Sequence, residues 1–162
     1  MGESLSPKAT IVVPVYNSAR SIRRCLDSLL AQSERSIQVV CVNDGSVDDS
    51  LGILRQIAQA DDRVLVIDQE NAGVSCARNA GIDAADGEVV FFVDADDYID
   101  AQTVECVLHA MESADAKVAV FGGVCEPSDA APKRVQQLMS PKAGTFCARD
   151  SQLLFHANAQ PR

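Results

Sequence analysis

The chain has 162 residues, 47% of them hydrophobic and 23% charged, the length and balance of one globular domain with a core of its own. Asp and Glu number 23 against 14 Lys and Arg, a formal net charge of -9, and without a basic cluster this argues against nucleic acid and anionic membrane surfaces as partners. No run approaches the roughly 18 apolar residues of a membrane span, and the opening MGESLSPKAT lacks the apolar centre of a signal peptide, so a cytoplasmic protein is expected.

Residues 1–8 read as a flexible N-terminus. ATIVVPVYN is a continuous β-branched run, the pattern of a strand covered on both faces in a parallel sheet. In SARSIRRCLDSLLAQS, Ile22, Cys25, Leu26, Leu29 and Leu30 recur at i, i+3, i+4, i+7 and i+8, an amphipathic helix with Ser18 as its N-cap. SIQVVCVNDGS repeats the strand. SVDDSLGILRQIAQA repeats the helix, with Leu51, Leu54, Ile57 and Ala58 inward and Asp48 and Asp49 in the first turn, where the helix dipole favours negative charge. RVLVIDQ and GVSCARNAGIDAAD form a third pair, closed by Gly87. GEVVFFVDADD is a fourth strand, a helix follows over 101–113, and AKVAVFGGV reads as a fifth strand.

This alternation predicts a Rossmann-like α/β fold, a mainly parallel sheet with helices on both faces, over residues 9–124. The segment 125–162 dissolves into a long irregular stretch with three prolines up to Arg149, followed by the start of one more helix. Six cysteines, Cys25, Cys41, Cys76, Cys106, Cys125 and Cys147, lie 16 to 35 residues apart without a CxxC pair, which argues against a zinc site. Cys25, Cys41 and Cys106 fall in apolar periodic segments and read as buried reduced thiols.

Open α/β sheets bind ligands outside the carboxyl ends of their strands. Here those ends read PVYN (Pro14 to Asn17), NDGS (Asn43 to Ser46), DQENAG (Asp68 to Gly73) and DADD (Asp94 to Asp97). Residues two apart on an extended run point the same way, so Asp94 and Asp96 converge while Ala95 packs behind, and Asp97 joins if the chain turns. With no Lys or Arg within eight residues, such a cluster asks for a hard divalent cation, which takes carboxylate and phosphate oxygens. The competing reading is a helix-start cluster with Asp96 or Asp97 as N-cap and Asp100 in the first turn. Asp44 stands at a strand end beside Gly45, either as an ordinary turn residue or as an acceptor for a base N–H or ribose hydroxyl. Gly73 opens a helix whose N-terminus suits a pyrophosphate, and Arg78 serves either a phosphate, the acidic cluster or a structural ion pair.

The ordered set IVVPVYNSARSIRRCLDSLLAQS, VVCVNDGSVDDS and NAGVSCARNAGIDAADGEVVFFVDADD resembles the family 2 glycosyltransferases, inverting nucleotide-sugar-dependent enzymes of the GT-A fold, over roughly residues 9 to 100. The resemblance implies that Pro14, Tyr16 and Asn17 line the base and ribose pocket, that Asp44 contacts a uracil-type base and that Arg78 lies near the nucleotide. It implies further that Asp94 and Asp96, flanking Ala95, form a DxD motif gripping ribose and a Mg²⁺ or Mn²⁺ on the diphosphate, with Asp97 as a neighbouring acid. The implied reaction transfers a sugar, with UDP the favoured carrier, to a hydroxyl of a glycan or lipid-linked acceptor in polysaccharide synthesis.

The family's acidic base motif is missing from the sequence, with Glu126, Asp150 and His156 the available stand-ins, so the chain reads as the N-terminal, donor-binding portion of a longer enzyme. Membrane contact would then come only through a further C-terminal part, and oligomeric state is left open. Two alternatives stand beside this: a non-catalytic nucleotide-binding α/β module, and a Mg²⁺-dependent phosphotransferase of the haloacid-dehalogenase type. The latter would want Thr or Val where Tyr98 stands, and its Asp strand near the start of the domain.

Overall fold

The computed structural model describes residues 6–120. Four strands, β1 (Ala9–Val15), β2 (Ile37–Asp44), β3 (Val64–Gln69) and β4 (Val89–Phe92), alternate with helices α1 (Ile22–Leu30), α2 (Ser50–Ala60), α3 (Val74–Asp83) and α4 (Thr103–Ser113). The strands form one sheet in the order β3-β2-β1-β4, and every pairing is parallel. Right-handed crossovers running outward from β1 to β3 put α1 and α2 on one face. The return from β3 to β4 carries α3 across the other, where it packs on β1 and β2. The sheet is therefore covered on both sides, as the sequence predicts.

β1 is buried at all seven positions, which is why its run lacks polar alternation. Ile22, Cys25, Leu26 and Leu29 fill the inner face of α1 with no exposed surface. On the opposite side Ala77 packs with Val40 and Val42, flanked by Ile67, Ala80 and Ala84. Gly81 lies where a Cβ would run into the Val12 side chain, so the missing side chain lets α3 settle on β1.

Several local expectations are corrected. α1 begins at Ile22, and Ser18 does not cap it with its hydroxyl. Instead the Ser18 carbonyl accepts the amides of Ser21 and Ile22, and its hydroxyl donates to the Tyr16 carbonyl. Asp48 and Asp49 precede α2 rather than lying in its first turn, and Leu51 and Ala58 are only half-buried. Cys106 is exposed, because its position on α4 turns away from the apolar stripe. Residues 116–120 form no strand, and Val118 and Val120 are exposed. An apolar run supplies the pattern of a strand, but a strand also needs a neighbour to share hydrogen bonds.

The chain divides into a unit of residues 1–105, which holds the whole sheet, and a unit of residues 106–162. Residues 121–124 of the expected fifth strand lie outside the described residues. So do the 125–162 segment, Cys125, Cys147 and the three stand-in bases Glu126, Asp150 and His156.

Candidate functional site

The strand order reverses direction between β1 and β4, and the crevice at such a reversal is where doubly wound sheets bind ligands. β1 delivers Tyr16 and Asn17 to that point. β4 delivers the acidic turn. Pro14 is buried inside β1, level with Val42, while Tyr16 is 52% exposed at the strand's end.

A polar latch ties the loop after β1 to the loop after β2. Asn17 adopts a left-handed φ of 50°, a conformation Asn tolerates better than most residues. Its amide donates to Ser46 Oγ at 3.0 Å and its Oδ1 accepts the Val47 N–H at 2.9 Å. The Ser18 amide donates to Ser50 Oγ at 2.8 Å, and the Ala19 amide to Asp48 Oδ2 at 3.0 Å. The Ser50 hydroxyl bond to Asp48, with help from the Ala19 and Ser50 amides, holds the Asp48 carboxyl below its ordinary pKa. The latch thus fixes the chain just after Tyr16.

Asp44 closes the next loop. The carboxylate is 3% exposed. Its Oδ1 accepts from Gln69 Nε2 at 2.7 Å and from the Ala72 amide at 2.9 Å, and its Oδ2 accepts from the Gly73 amide at 2.9 Å. The Ala72 amide, reinforced by Gln69 and Gly73 against the cost of burial, holds this carboxyl below the usual range. Gly73, at φ 89°, is the entry residue of α3. Asp44 therefore anchors the start of α3 and keeps spare acceptor capacity, chiefly on Oδ2.

The acidic turn follows β4. Val93 and Ala95 are 5% exposed, while Asp94, Asp96 and Asp97 face solvent. Ala95 thus packs inward between two outward carboxylates. The Asp97 amide bonds the Asp94 carbonyl at 3.0 Å, so the chain does turn and brings the third carboxylate in. Partial burial, with the neighbouring charges of Asp96 and Asp94, pushes the Asp97 carboxyl above its ordinary value. The helix-start alternative is not realised: α4 begins six residues after Asp97, and the bond to the Thr103 amide comes from the Asp100 carbonyl, not its carboxylate.

Positive charge reaches this turn from far away in sequence. Arg78 Nη2 lies 2.7 Å from Asp94 Oδ1, which makes it a brace for the acidic cluster. Arg24 on α1 lowers the proton affinity of Asp97, and its guanidinium sits 4.4 Å from the centre of the Tyr98 ring, a cation–π stack. Asp96 receives no hydrogen bond from another described residue. Among the described residues no three His, Cys, Asp or Glu side chains are disposed to hold a metal by themselves.

Tyr16, Asn17 and Asp94–Asp97 thus follow the carboxyl ends of β1 and β4, Pro14 is the next-to-last residue of β1, Asp44 ends β2, and Arg78 reaches Asp94 from within α3. Sequence reading gave no site role to Arg24, placed Asp48 only at a helix start, and counted Ser46 only within the NDGS strand end. The NDGSVDDS spacing carried a signal for the last two, since Ser and Asp just before a helix commonly bond nearby amides.

A parallel α/β sheet covered by helices on both faces, with polar loops after its strands, defines a Rossmann-like class of domain. The sequence profile of Glycosyl transferase family 2 matches residues 10–159, and the chain belongs to that family. Glycosyltransferase GlyA of Streptococcus pneumoniae serotype 4 is 44% identical over 113 residues, 70% of this chain and 16% of GlyA. Among solved structures, S. aureus TarS 1-349 in complex with UDP superposes with a TM-score of 0.62 at 30% identity, covering 75% of this chain and 38% of that one. The mannosyltransferase PcManGT of Pyrobaculum calidifontis, in complex with GDP-Man and Mn²⁺, gives a TM-score of 0.61 at 25% identity, covering 74% and 35%. The fold is GT-A, as the motifs imply, and the family match decides against the haloacid-dehalogenase alternative. The chain spans well under half the length of these relatives.

Proposed function

We propose that this chain carries the donor-binding half of an inverting glycosyltransferase that uses a nucleotide-diphosphate sugar, UDP-linked, in glycan or cell-envelope polysaccharide synthesis. The carrying observation is that β1, which leads into Tyr16 and Asn17, pairs in parallel with β4, which leads into Asp94 and Asp96, and that Arg78 bonds Asp94. Tyr16 and Asn17 form the wall for base and ribose. Asp44 holds the α3 entry in place and offers its remaining lone pair to the base. The N-terminus of α3 supplies oriented amides on the phosphate side.

Two outward carboxylates, Asp94 and Asp96, suit Mg²⁺ or Mn²⁺, because such ions take one or two protein carboxylates and complete their shell with phosphate oxygens and water. Without a third ligand of their own, the pair holds the cation best together with the diphosphate, and Asp97 stands ready as a further acid. When bound, the cation offsets the charge that develops on the departing diphosphate. Arg78 holds Asp94 in orientation through its 2.7 Å contact with Oδ1. The displacement forms a bond from an acceptor hydroxyl to the anomeric carbon as the bond to the diphosphate breaks, inverting that carbon. The residue that takes the hydroxyl proton is assigned to the acceptor half, beyond the donor rim. That a glycan or lipid-linked hydroxyl is the acceptor rests on the family alone.

TarS with UDP supports the uridine reading, and PcManGT with GDP-Man and Mn²⁺ marks its main competitor. Calorimetric titration with UDP, GDP and ADP, with and without Mn²⁺, tests the proposal. UDP should bind most tightly and with Mn²⁺ dependence; binding of none of the three would sink it.

A further inference from the structure

One face of α1 runs along the backbone that leads from the acidic turn to α4. Cys25, Ser28 and Gln32 recur at i, i+3 and i+7, a single stripe of the helix and its trailing turn. The Cys25 thiol donates to the Asp94 carbonyl at 3.6 Å. The Ser28 hydroxyl accepts the Ile99 amide at 3.2 Å. Gln32 Nε2 donates to the Asp100 carbonyl at 2.7 Å, and Gln32 Oε1 accepts the Val104 amide at 3.0 Å.

Gln32 has no exposed surface. Its second Nε2 hydrogen goes to the Ser28 carbonyl at 3.1 Å, so both donors and one acceptor site are used. A buried amide is costly unless satisfied, and once satisfied it admits few other arrangements of the groups it bonds. These bonds join segments about 70 residues apart in sequence, and they touch main-chain atoms on either side of residues 101–103. No side chain of the 94–105 segment needs to be of a particular type for the bonds to form, so the stripe sets the course of the backbone.

We infer that Gln32 and Ser28 are positioning residues for donor binding: by fixing the backbone from Ile99 to Val104 they fix the turn that presents Asp94 and Asp96. The inference rests on the donor-site reading above. Neither residue is placed against the donor, and both act through the chain they hold.

The test compares the protein with its Gln32→Met, Ser28→Ala and Ser28→Thr variants by amide hydrogen exchange and by calorimetry with UDP, with and without Mn²⁺. Gln32→Met and Ser28→Ala should speed exchange at residues 99–104 while β1 and β2 stay protected. Both should lose about tenfold or more of the Mn²⁺-dependent tightening, the usual scale for supports behind a metal ligand, with metal-free UDP affinity unchanged. Ser28→Thr, which keeps the hydroxyl, should restore it. Should Gln32→Met fail to fold, the Ser28 pair decides alone. Folded variants with unchanged Mn²⁺ dependence overturn the inference and leave the donor site standing. An unsubstituted protein that binds no nucleoside diphosphate overturns the donor-site reading, and the inference with it.

Discussion

Arg78 and Asp94 meet at the carboxyl end of the sheet, Nη2 to Oδ1 at 2.7 Å, although they are 16 residues apart and sit on different elements. Both side chains are partly exposed, 38% and 52%, so solvent screens the pair and its contribution to stability is about 0–1 kcal/mol. Its weight falls on the site, where it offsets one of three clustered negative charges. Arg78→Ala is expected to leave the thermal midpoint nearly unchanged and to weaken UDP binding about tenfold, roughly 1.4 kcal/mol. Unchanged affinity in a folded variant would remove Arg78 from the donor site.

Asp44 is the reverse case, a buried carboxylate with a structural task. In Asp44→Asn one carboxylate oxygen becomes an NH₂ that faces an amide donor, leaving a buried N–H unpaired at a cost of about 1–3 kcal/mol. The sign of the pH dependence follows from its lowered pKa. The stabilisation is fully present above the unfolded value of about 3.9 and fades as pH falls through the lower folded value. Denaturant unfolding at pH 7 and below pH 4 should show the gap between the two proteins narrowing in acid. A constant gap would mean that the hydrogen bonds do not depend on charge.

Gly81→Ala places a methyl group into the Val12 side chain on β1. Because the sheet below is close-packed, α3 has to shift, and the expected loss is about 1–3 kcal/mol by chemical denaturation. A neutral result would show that α3 does not lie on β1 this closely.

Burial raises the Cys25 thiol to about 12, with the negative charges of Asp97, Asp96 and Asp94 adding to it, and burial likewise pushes Cys41 up. Thiolate is the reactive form. Alkylation of the native protein followed by peptide mapping should therefore label Cys76 and Cys106, which are exposed, and spare Cys25 and Cys41 until unfolding. Prompt labelling of Cys25 would contradict the packing of α1 against the acidic turn.

What could be read beforehand, and what could not, separates along the range of the interactions. β-branched runs and the i, i+3, i+4 stripe in Ile22, Cys25, Leu26 and Leu29 reflect local burial, so the four parallel strands and the helices between them were legible. Alternation placed Asp94 and Asp96 outward and Ala95 inward for the same reason. Bonds made between distant segments were not legible. The sequence around DADD has no nearby cation, yet Arg78 and Arg24 come to it through the fold. Gln32 looks like a polar residue trailing a helix, while its partners Asp100 and Val104 lie about 70 residues away. The expected strand over residues 116–124 failed within its described part because pairing depends on a neighbour the pattern does not reveal.

The central claim is that Asp96 belongs to a metal-assisted diphosphate site rather than to a solvated turn. Asp96 is exposed and receives no hydrogen bond from another described residue, so Asp96→Ala should shift stability by no more than about 0.5 kcal/mol. Calorimetric titration of UDP into both proteins at matched Mn²⁺ measures the claim directly. The account predicts that Mn²⁺ tightens UDP binding to the unsubstituted protein and that Asp96→Ala loses most of that tightening. Equal Mn²⁺-dependent affinity in the two proteins would contradict it.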